Sequence, residues 1–325
     1  MQKWISVFVV CLCVILAVTS AGCTSQQERN VYNPSSMADL EMYVQDAAGY
    51  VQTVGAAAAL KEFNAKDGRF TQGDWYVYAY DYEGILRAHP YAQDAVGTYR
   101  GNWTDVRGLS VIRIAQETAA NGGGYIAYLY PAPAAGVINE SAGGETYEPK
   151  IGYAYPAGDD LWLGSGVYFG DLTAEGEGAY PAAFTDMISL VEAGGAAYAE
   201  ANATDTALAE IGNRSGQFVD ENGHYLYAYD YNGTLLVHPY LGGERVGDNL
   251  MDKKGPFGMD IIRTLSETAA DGGGFVVFVW PNPPDNGNRE ELKIGYVLPV
   301  NDEWWLGSGV YLSEITGVDS ALFVR

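Results

Sequence analysis

The sequence predicts an α+β fold that occurs twice, each copy being a long helix packed on a twisted antiparallel sheet of about five strands. Three observations predict it. A tyrosine-rich segment occurs twice, as YVYAYDYEGILRAHPY from Tyr76 and as YLYAYDYNGTLLVHPY from Tyr225. A triple glycine followed by alternating aromatic residues comes after each of these segments. Each copy then ends with the motifs KIGY and WLGSGVY. The copies lie roughly 143–150 residues apart, far beyond the ~20–50 of solenoid repeats, so each is predicted to be a domain.

A long amphipathic helix is the first predicted element of each copy. In the first copy Tyr43, Ala47, Tyr50 and Val54 recur at three- and four-residue spacing, which is typical of a helix with one buried face. The second copy repeats the pattern. The predicted helices span Met37–Phe63 and Ala182–Ile211.

A β-hairpin follows each helix. Tyr76, Tyr78 and Tyr80 alternate with Val77 and Ala79, which predicts a strand with the tyrosines on one face. The pairs Glu83-Gly84 and Asn232-Gly233 predict two-residue turns with positive φ at the glycine. The returning strands are predicted to end at His89-Pro90 and His238-Pro239.

A short helix and three strands complete each copy. The helix is predicted to stop at the triple glycine, which suits a helix C-terminus. The predicted helices are Val111–Ala120 and Ile261–Ala270, and the predicted strands lie near Tyr125–Tyr130, Lys150–Tyr155 and Trp162–Tyr168, with counterparts near Phe275–Trp280, Lys293–Leu298 and Trp305–Tyr311.

The N-terminus has the pattern of an export signal. Lys3 precedes an apolar run from Trp4 to Val18, and small residues lead into Cys23. Ala-Gly-Cys resembles a lipobox, which predicts a signal over 1–22, lipidation of Cys23 and a mature protein anchored to the outer face of the cytoplasmic membrane. Cleavage after Ala21 and an uncleaved anchor remain open alternatives. Ser20 departs from the lipobox pattern, in which a branched aliphatic residue is usual.

The net charge of −23 makes nucleic acid and anionic lipid headgroups unfavourable partners. In such an acidic chain, a basic residue at the same position of both copies indicates a specific role. Lys150 and Lys293 occupy such a position, at the start of a predicted strand. An ammonium beside tyrosine hydroxyls and a histidine could hold a small carboxylate. A lysine paired with an internal carboxylate and a half-buried structural histidine are the competing interpretations.

No catalytic constellation recurs between the copies. One histidine per copy, at His89 and His238, forms no triad, and no His or Asp/Glu cluster has metal-ligand spacing. Ser165 lies within a predicted strand and lacks the spacing of a nucleophile elbow. The sequence therefore predicts no enzyme activity, no metal and no cofactor.

Taken together, these motifs resemble the single Cache domain, an extracytoplasmic PAS-like sensor module, and most closely versions common in methanogenic archaea. The resemblance implies a pocket for a small organic acid such as acetate, propionate, pyruvate or lactate. The first pocket is expected to differ because an insertion, 132–148, precedes Lys150. The site residues implied are Tyr78, Tyr80, His89, Lys150 and Tyr153 in the first copy, and Tyr227, Tyr229, His238, Lys293 and Tyr296 in the second.

The predicted organisation is a linker over 24–36, Cache domains over 37–172 and 182–317, and a second linker over 173–181. Because no kinase or coiled-coil segment follows the last predicted strand, we expect a sensor that acts through a separate membrane receptor or kinase. A structural or adhesive surface protein with non-binding Cache-like modules is the alternative.

Overall fold

A computed structural model describes residues 32, 36–73, 75–131, 147–172, 182–198, 204–241, 245–282, 289–318 and 321–324. The predicted signal over 1–22, the lipidation site Cys23, the second linker and nearly all of the first linker lie outside the described residues. No helix in the described part of the chain combines the length and apolar character needed to cross a membrane.

The first half of the chain folds as predicted into helices followed by an antiparallel sheet. Its elements in chain order are α1 (Met37–Val54), α2 (Ala56–Phe63), β1 (Thr71–Gln72), β2 (Trp75–Tyr76), β3 (Tyr78–Asp81), β4 (Leu86–Ala88), α3 (Val111–Ala120), β5 (Gly124–Pro131), β6 (Tyr147–Pro156) and β7 (Leu161–Tyr168).

The second half repeats this order with an isolated bridge between Val219 and Tyr225 in place of β1 and β2, and adds a short helix and a strand at its end. Its elements are α4 (Ala182–Tyr198), α5 (Thr204–Ile211), β8 (Tyr227–Asp230), β9 (Leu235–Val237), α6 (Ile261–Ala270), β10 (Gly274–Pro281), β11 (Arg289–Pro299), β12 (Trp304–Tyr311), α7 (Leu312–Thr316) and β13 (Ala321–Val324).

Both sheets have the same strand order. The first runs β4-β3-β7-β6-β5 and the second β9-β8-β12-β11-β10, and every neighbouring pair is antiparallel. The additional strand β13 pairs with the first residues of β11. The fold class is α+β, in agreement with the sequence prediction.

The predicted first helix is wrong in one respect, because it is two helices rather than one. Gly55 separates α1 from α2 with φ 81° and ψ 153°, a conformation that breaks the helical path. Glycine has no Cβ and adopts positive φ without the steric penalty that other residues meet. The apolar spacing continues across the break, so it gave no signal of the turn.

The hairpins form with the predicted positive φ at the glycines, but the predicted two-residue turns are wrong. Each loop has three residues, 82–84 and 231–233, closed by the Asp81 N–H to Ile85 carbonyl and Asp230 N–H to Thr234 carbonyl hydrogen bonds. Gly84 and Gly233 have φ values of 84° and 86°, and their N–H groups donate to the carbonyls of Asp81 and Asp230. This geometry reverses the chain and returns β4 and β9 alongside the tyrosine strands. The histidines therefore follow directly after β4 and β9, beside the tyrosine faces.

The two faces of each sheet pack against different helices. In the first half α1 covers β6 and β7 on one face, and α3 covers β5, β6 and β7 on the other. In the second half Leu226 and Ala228 share a buried cluster with Val191 and Tyr198 of α4. Because strand side chains alternate, the intervening tyrosines face α6. Each half is thus a three-layer structure in which the short helix covers the tyrosine face.

The halves also pack against each other within one unit that extends from Tyr32 onward. Buried apolar side chains from both sheets belong to a single cluster. The Arg113 guanidinium on α3 lies 4.5 Å from the ring centre of Phe257 in the second half. The proposed domain boundaries remain predictions, since this shared core does not mark a division between them.

A buried aspartate ties the loop before α3 to the sheet. Asp105 is 5% exposed, and its carboxylate accepts hydrogen bonds from the N–H groups of Arg107, Leu109 and Leu129. Burial raises the pKa of Asp105 to about 6, although these N–H donors act in the opposite direction. Its structural counterpart in the second half is Gly255, whose N–H donates to the Met259 carbonyl as that of Asp105 donates to the Leu109 carbonyl. The nearby Asp252 has a 93% exposed side chain and contacts Arg263.

Asp105 should give the fold a measurable pH dependence. Its pKa is higher in the folded protein than the ~3.9 of an unfolded aspartate, so its contribution is fully present below about pH 4 and is lost as the pH rises through 6. We expect the free energy of unfolding to rise between pH 7 and pH 4 by up to about 3 kcal/mol more in the wild type than in Asp105→Asn. Urea unfolding at several pH values measures this.

Asp252→Asn is the control, because it makes the same substitution at an exposed aspartate outside the hydrogen bonds of Asp105. Parallel pH curves for the wild type and Asp105→Asn would contradict the role assigned to Asp105.

Candidate functional site

The tyrosine face of the second sheet forms one wall of a pocket. Tyr227 and Tyr229 lie in β8, and Tyr225 precedes it with the same orientation. The ring of Tyr229 stacks on Trp305 at 5.2 Å with 14° between the planes, and Tyr227 meets the same indole edge-on at 6.1 Å. Because Trp305 is fully buried, it fixes the two tyrosines in place.

Lys293 supplies a buried ammonium to this pocket. It is 2% exposed and pairs across the sheet with Phe278 of β10 and Tyr311 of β12. Its Nζ lies 4.5 Å from the ring centre of Tyr311 and 5.0 Å from that of Tyr225, and it donates to the Tyr225 hydroxyl at 3.4 Å. Aromatic faces attract a cation, but they do not neutralise its charge.

The ammonium has no carboxylate partner among the residues that the structure describes. Glu291 lies two positions earlier on the same strand, but its carboxylate accepts hydrogen bonds from the Ser313 N–H and the Asn282 side-chain amide. The structure therefore does not support pairing of Lys293 with an internal carboxylate.

His238 contributes a neutral imidazole. Its Nδ1 accepts hydrogen bonds from the N–H groups of Tyr240 and Leu241, both at 3.1 Å, so Nδ1 carries no proton and the ring proton is on Nε2. Burial lowers the pKa of His238 to about 3, and the positive charge of Lys293 acts in the same direction. At neutral pH the ring is thus an N–H donor without charge.

The Tyr227 hydroxyl is buried and has no hydrogen-bond partner in the described structure. Burial raises its pKa well above the usual value, and the hydroxyls of Tyr229 and Tyr225 add to the shift. The group is therefore a protonated donor on a residue that lines the pocket. Buried polar groups are nearly always paired, so this hydroxyl could donate a hydrogen bond to a ligand acceptor.

The space between these groups is a small, largely apolar pocket. The volume open to the centre of a water-sized sphere is about 20 Å³, which is room for about one water molecule. Three donors, from an ammonium, a phenol and an imidazole, lie among apolar walls, an arrangement that suits a small anion with a short apolar tail. The lining residues are Tyr225, Tyr227, Tyr229, His238, Ile262, Leu265, Phe278, Trp280 and Lys293.

The first half has a matching arrangement. Lys150 is 3% exposed, and its Nζ lies 4.6 Å from the ring centre of Tyr168 and 4.9 Å from that of Tyr130. The Nδ1 of His89 accepts hydrogen bonds from two backbone N–H groups, as in the second half. Tyr80 stacks on Trp162 at 4.9 Å with 10° between the planes. The predicted residues Tyr78, Tyr80, His89 and Lys150 thus lie on one side of the first sheet.

Tyr153 and Tyr296 do not join these sites. Each follows its lysine by three positions, and in a strand an odd spacing places side chains on opposite faces. Tyr153 faces α1, where its hydroxyl donates to Glu41 and accepts from Gln45. Tyr296 packs on the Phe275 ring at 4.8 Å. The prediction that these two residues line the pockets does not agree with the structure.

The sequence prediction also omitted several lining residues. Tyr225 begins the same alternation as Tyr227 and Tyr229, so it could have been included from the pattern alone. Phe278 and Trp280 could not, because their position depends on the register of β10 against β11. No group of three or more potential metal ligands occurs in the described part of the chain.

Comparison with known proteins identifies a family and two kinds of relative. A Cache domain family model matches residues 63–316, a range that extends over both halves. The sensor histidine kinase MctS of Rhizobium johnstonii is 33% identical over 98 residues, which are 30% of this chain and 21% of that protein. The match therefore spans about a fifth of the length of this curated relative.

Solved structures show similarity over part of the chain. A methyl-accepting chemotaxis protein from Vibrio parahaemolyticus is 26% identical, with 41% of this chain and 87% of that one covered at a TM-score of 0.33. A Cache chemosensory domain, described in terms of carboxylic acid recognition, is 22% identical, with 40% and 94% covered at a TM-score of 0.34.

The protonation state of His238 can be tested directly. Its folded pKa of about 3 lies far below the ordinary 6.5, so we expect its Cε1–H resonance to be independent of pH between 8 and 5. Lys293→Met should raise this pKa by removing the nearby positive charge. The measurement is a proton–carbon NMR titration in which His238→Gln assigns the signal. A midpoint near 6.5 in the wild type would contradict the neutral donor.

Proposed function

This chain belongs to the Cache domain family of extracytoplasmic sensor modules, and on that premise we propose that it binds a small carboxylate in its C-terminal half. The observation that carries the proposal is a pocket lined, among the described residues, by a buried lysine ammonium without a carboxylate partner and a buried phenol hydroxyl without a hydrogen-bond partner. A small carboxylate would supply what both groups lack.

The energetics favour an anion over a neutral ligand. A charge removed from water is costly unless an opposite charge or several hydrogen bonds compensate for it. Lys293 has aromatic faces and one long hydrogen bond, which compensate in part. A carboxylate would accept a charge-assisted hydrogen bond from Lys293 and further bonds from the Tyr227 hydroxyl and the His238 Nε2–H.

The walls limit the remainder of the ligand. Phe278, Trp280, Ile262 and Leu265 present apolar surface around a cavity of only about 20 Å³, so a bound acid has to move these side chains apart, which favours a short tail. Acids of two to four carbons, such as acetate, propionate, pyruvate or lactate, combine a carboxylate head with such a short tail. We propose this class rather than a single acid.

The cellular role is a sensor without catalytic activity. We propose two tandem Cache domains over 37–172 and 182–317, export by the signal over 1–22 and anchoring through lipidated Cys23. Occupancy would be passed to a separate membrane receptor or kinase, a class that includes the related histidine kinase. The resemblance to versions in methanogenic archaea remains a prediction.

A thermal-shift series with sodium acetate, propionate, pyruvate and lactate tests the binding. At about 100 times its dissociation constant a ligand stabilises a fold by ~2.7 kcal/mol, so at least one acid should raise the melting temperature by roughly 5 °C. Lys293→Met should abolish the shift. The variant should itself fold, because replacing a buried charge by an apolar chain of similar length is often neutral or stabilising.

Tyr296→Phe is the matched control. It changes a tyrosine three positions from Lys293 on the opposite face of the same strand, so it should retain the full shift. The proposal fails if none of the four acids shifts the wild type, or if Lys293→Met responds as the wild type does.

A further inference from the structure

The two halves differ by one hydroxyl beside the buried lysine. We propose that the residue at this position, Tyr128 in the first half and Phe278 in the second, determines which half accepts the carboxylate. The Tyr128 hydroxyl occupies the ligand's place in the first half, and the absence of a hydroxyl on Phe278 leaves that place open in the second. This inference rests on the proposed carboxylate binding and adds the residue that controls it.

Tyr78 in the first half and Tyr227 in the second have the same aromatic neighbours. Tyr78 stacks on His89 at 6.4 Å and 15° and meets Trp162 edge-on at 6.1 Å. Tyr227 has the same relation to its own histidine, at 6.3 Å and 14°, and to its own tryptophan, at 6.1 Å. The two phenol rings are thus held in equivalent places, and a difference between their hydroxyls comes from the neighbour that each hydroxyl meets.

That neighbour lies directly across from the lysine. The register pairs Tyr128 with Lys150 and Phe278 with Lys293, so both aromatic rings stand beside an ammonium on the covered face. A Cβ built on Gly166 would lie 3.2 Å from the Tyr128 hydroxyl oxygen and 3.1 Å from Lys150 Cε. The Tyr128 hydroxyl therefore lies over the same glycine as the end of the lysine side chain.

The hydrogen bonding of Tyr78 and of its counterpart Tyr227 differs between the halves according to the residue at position 128 or 278. In the first half the Tyr78 hydroxyl shares a side-chain hydrogen bond with Tyr128. In the second half Phe278 offers no hydroxyl, and the Tyr227 hydroxyl has no hydrogen-bond partner among the described residues. A ligand oxygen at this place would restore the hydrogen bond that Tyr128 provides in the first half.

Isothermal titration calorimetry on the full chain tests this with sodium acetate, propionate, pyruvate and lactate. The wild type should bind one acid per chain, and Phe278→Tyr should weaken binding roughly tenfold or more, because the new hydroxyl takes the place of the ligand oxygen. In the Lys293→Met background, which lacks the C-terminal site, Tyr128→Phe should restore binding of one acid by opening the first half.

Phe275→Tyr and Tyr125→Phe are matched controls. They make the same changes at equivalent positions of β10 and β5, and their side chains lie on the opposite face, where Tyr125 donates to the Met37 carbonyl and Phe275 packs on Tyr296. Neither should alter the affinity or the stoichiometry of the acid.

The outcomes separate this inference from the function on which it rests. If the wild type binds an acid and Phe278→Tyr binds it equally well, the control by position 278 is wrong while carboxylate binding stands. If Phe278→Tyr does not fold, the Tyr128→Phe and Lys293→Met double variant decides, and no binding there overturns the inference. If the wild type binds none of the four acids, both proposals fall together.

Discussion

An ammonium group buried against each sheet is the constraint on which the rest of the site depends. Removing a lysine from water is costly, and among the described residues of the second half the faces of tyrosine rings, rather than a carboxylate, compensate for this cost. The covering helix, the tryptophan behind the tyrosines and the small glycines opposite the lysine all serve to enclose this charge. A Cβ on Gly309 would lie 2.7 Å from Lys293 Cε, so even an alanine would crowd the lysine.

The repeat gives the protein two versions of one site, and their differences are informative. The histidine, the lysine and the stacked tyrosine-tryptophan pair occur in both halves with nearly equal geometry. The loop after the histidine differs, since the first half has the buried, hydrogen-bonded Asp105 where the second half has Gly255. The residue paired with the lysine on the neighbouring strand differs as well: it is Tyr128 in the first half and Phe278 in the second. The second difference is the basis of our proposal that one half binds the acid and the other is filled by its own Tyr128 hydroxyl.

Much of this structure could be predicted from the sequence, because alternation and repetition are local signals. The tyrosine face, the hairpin glycines and the lysine followed from spacing alone. Tyr296 lies away from the pocket because it is three positions from Lys293, and the two-residue period of a strand places it on the opposite face. The positions of Phe278 and Trp280 in the pocket could not be predicted, because strand register determines which residue lies opposite Lys293. The break at Gly55 was missed because apolar spacing continues through it.

The most direct test is a crystal structure of the protein with acetate, propionate, pyruvate or lactate. The account predicts carboxylate density in the C-terminal pocket within about 2.7–3.1 Å of Lys293 Nζ and the Tyr227 hydroxyl. It also predicts a Tyr128 hydroxyl in the equivalent place of the first half. A C-terminal pocket that holds water alone with all four acids, or an acid bound away from Lys293, would contradict it.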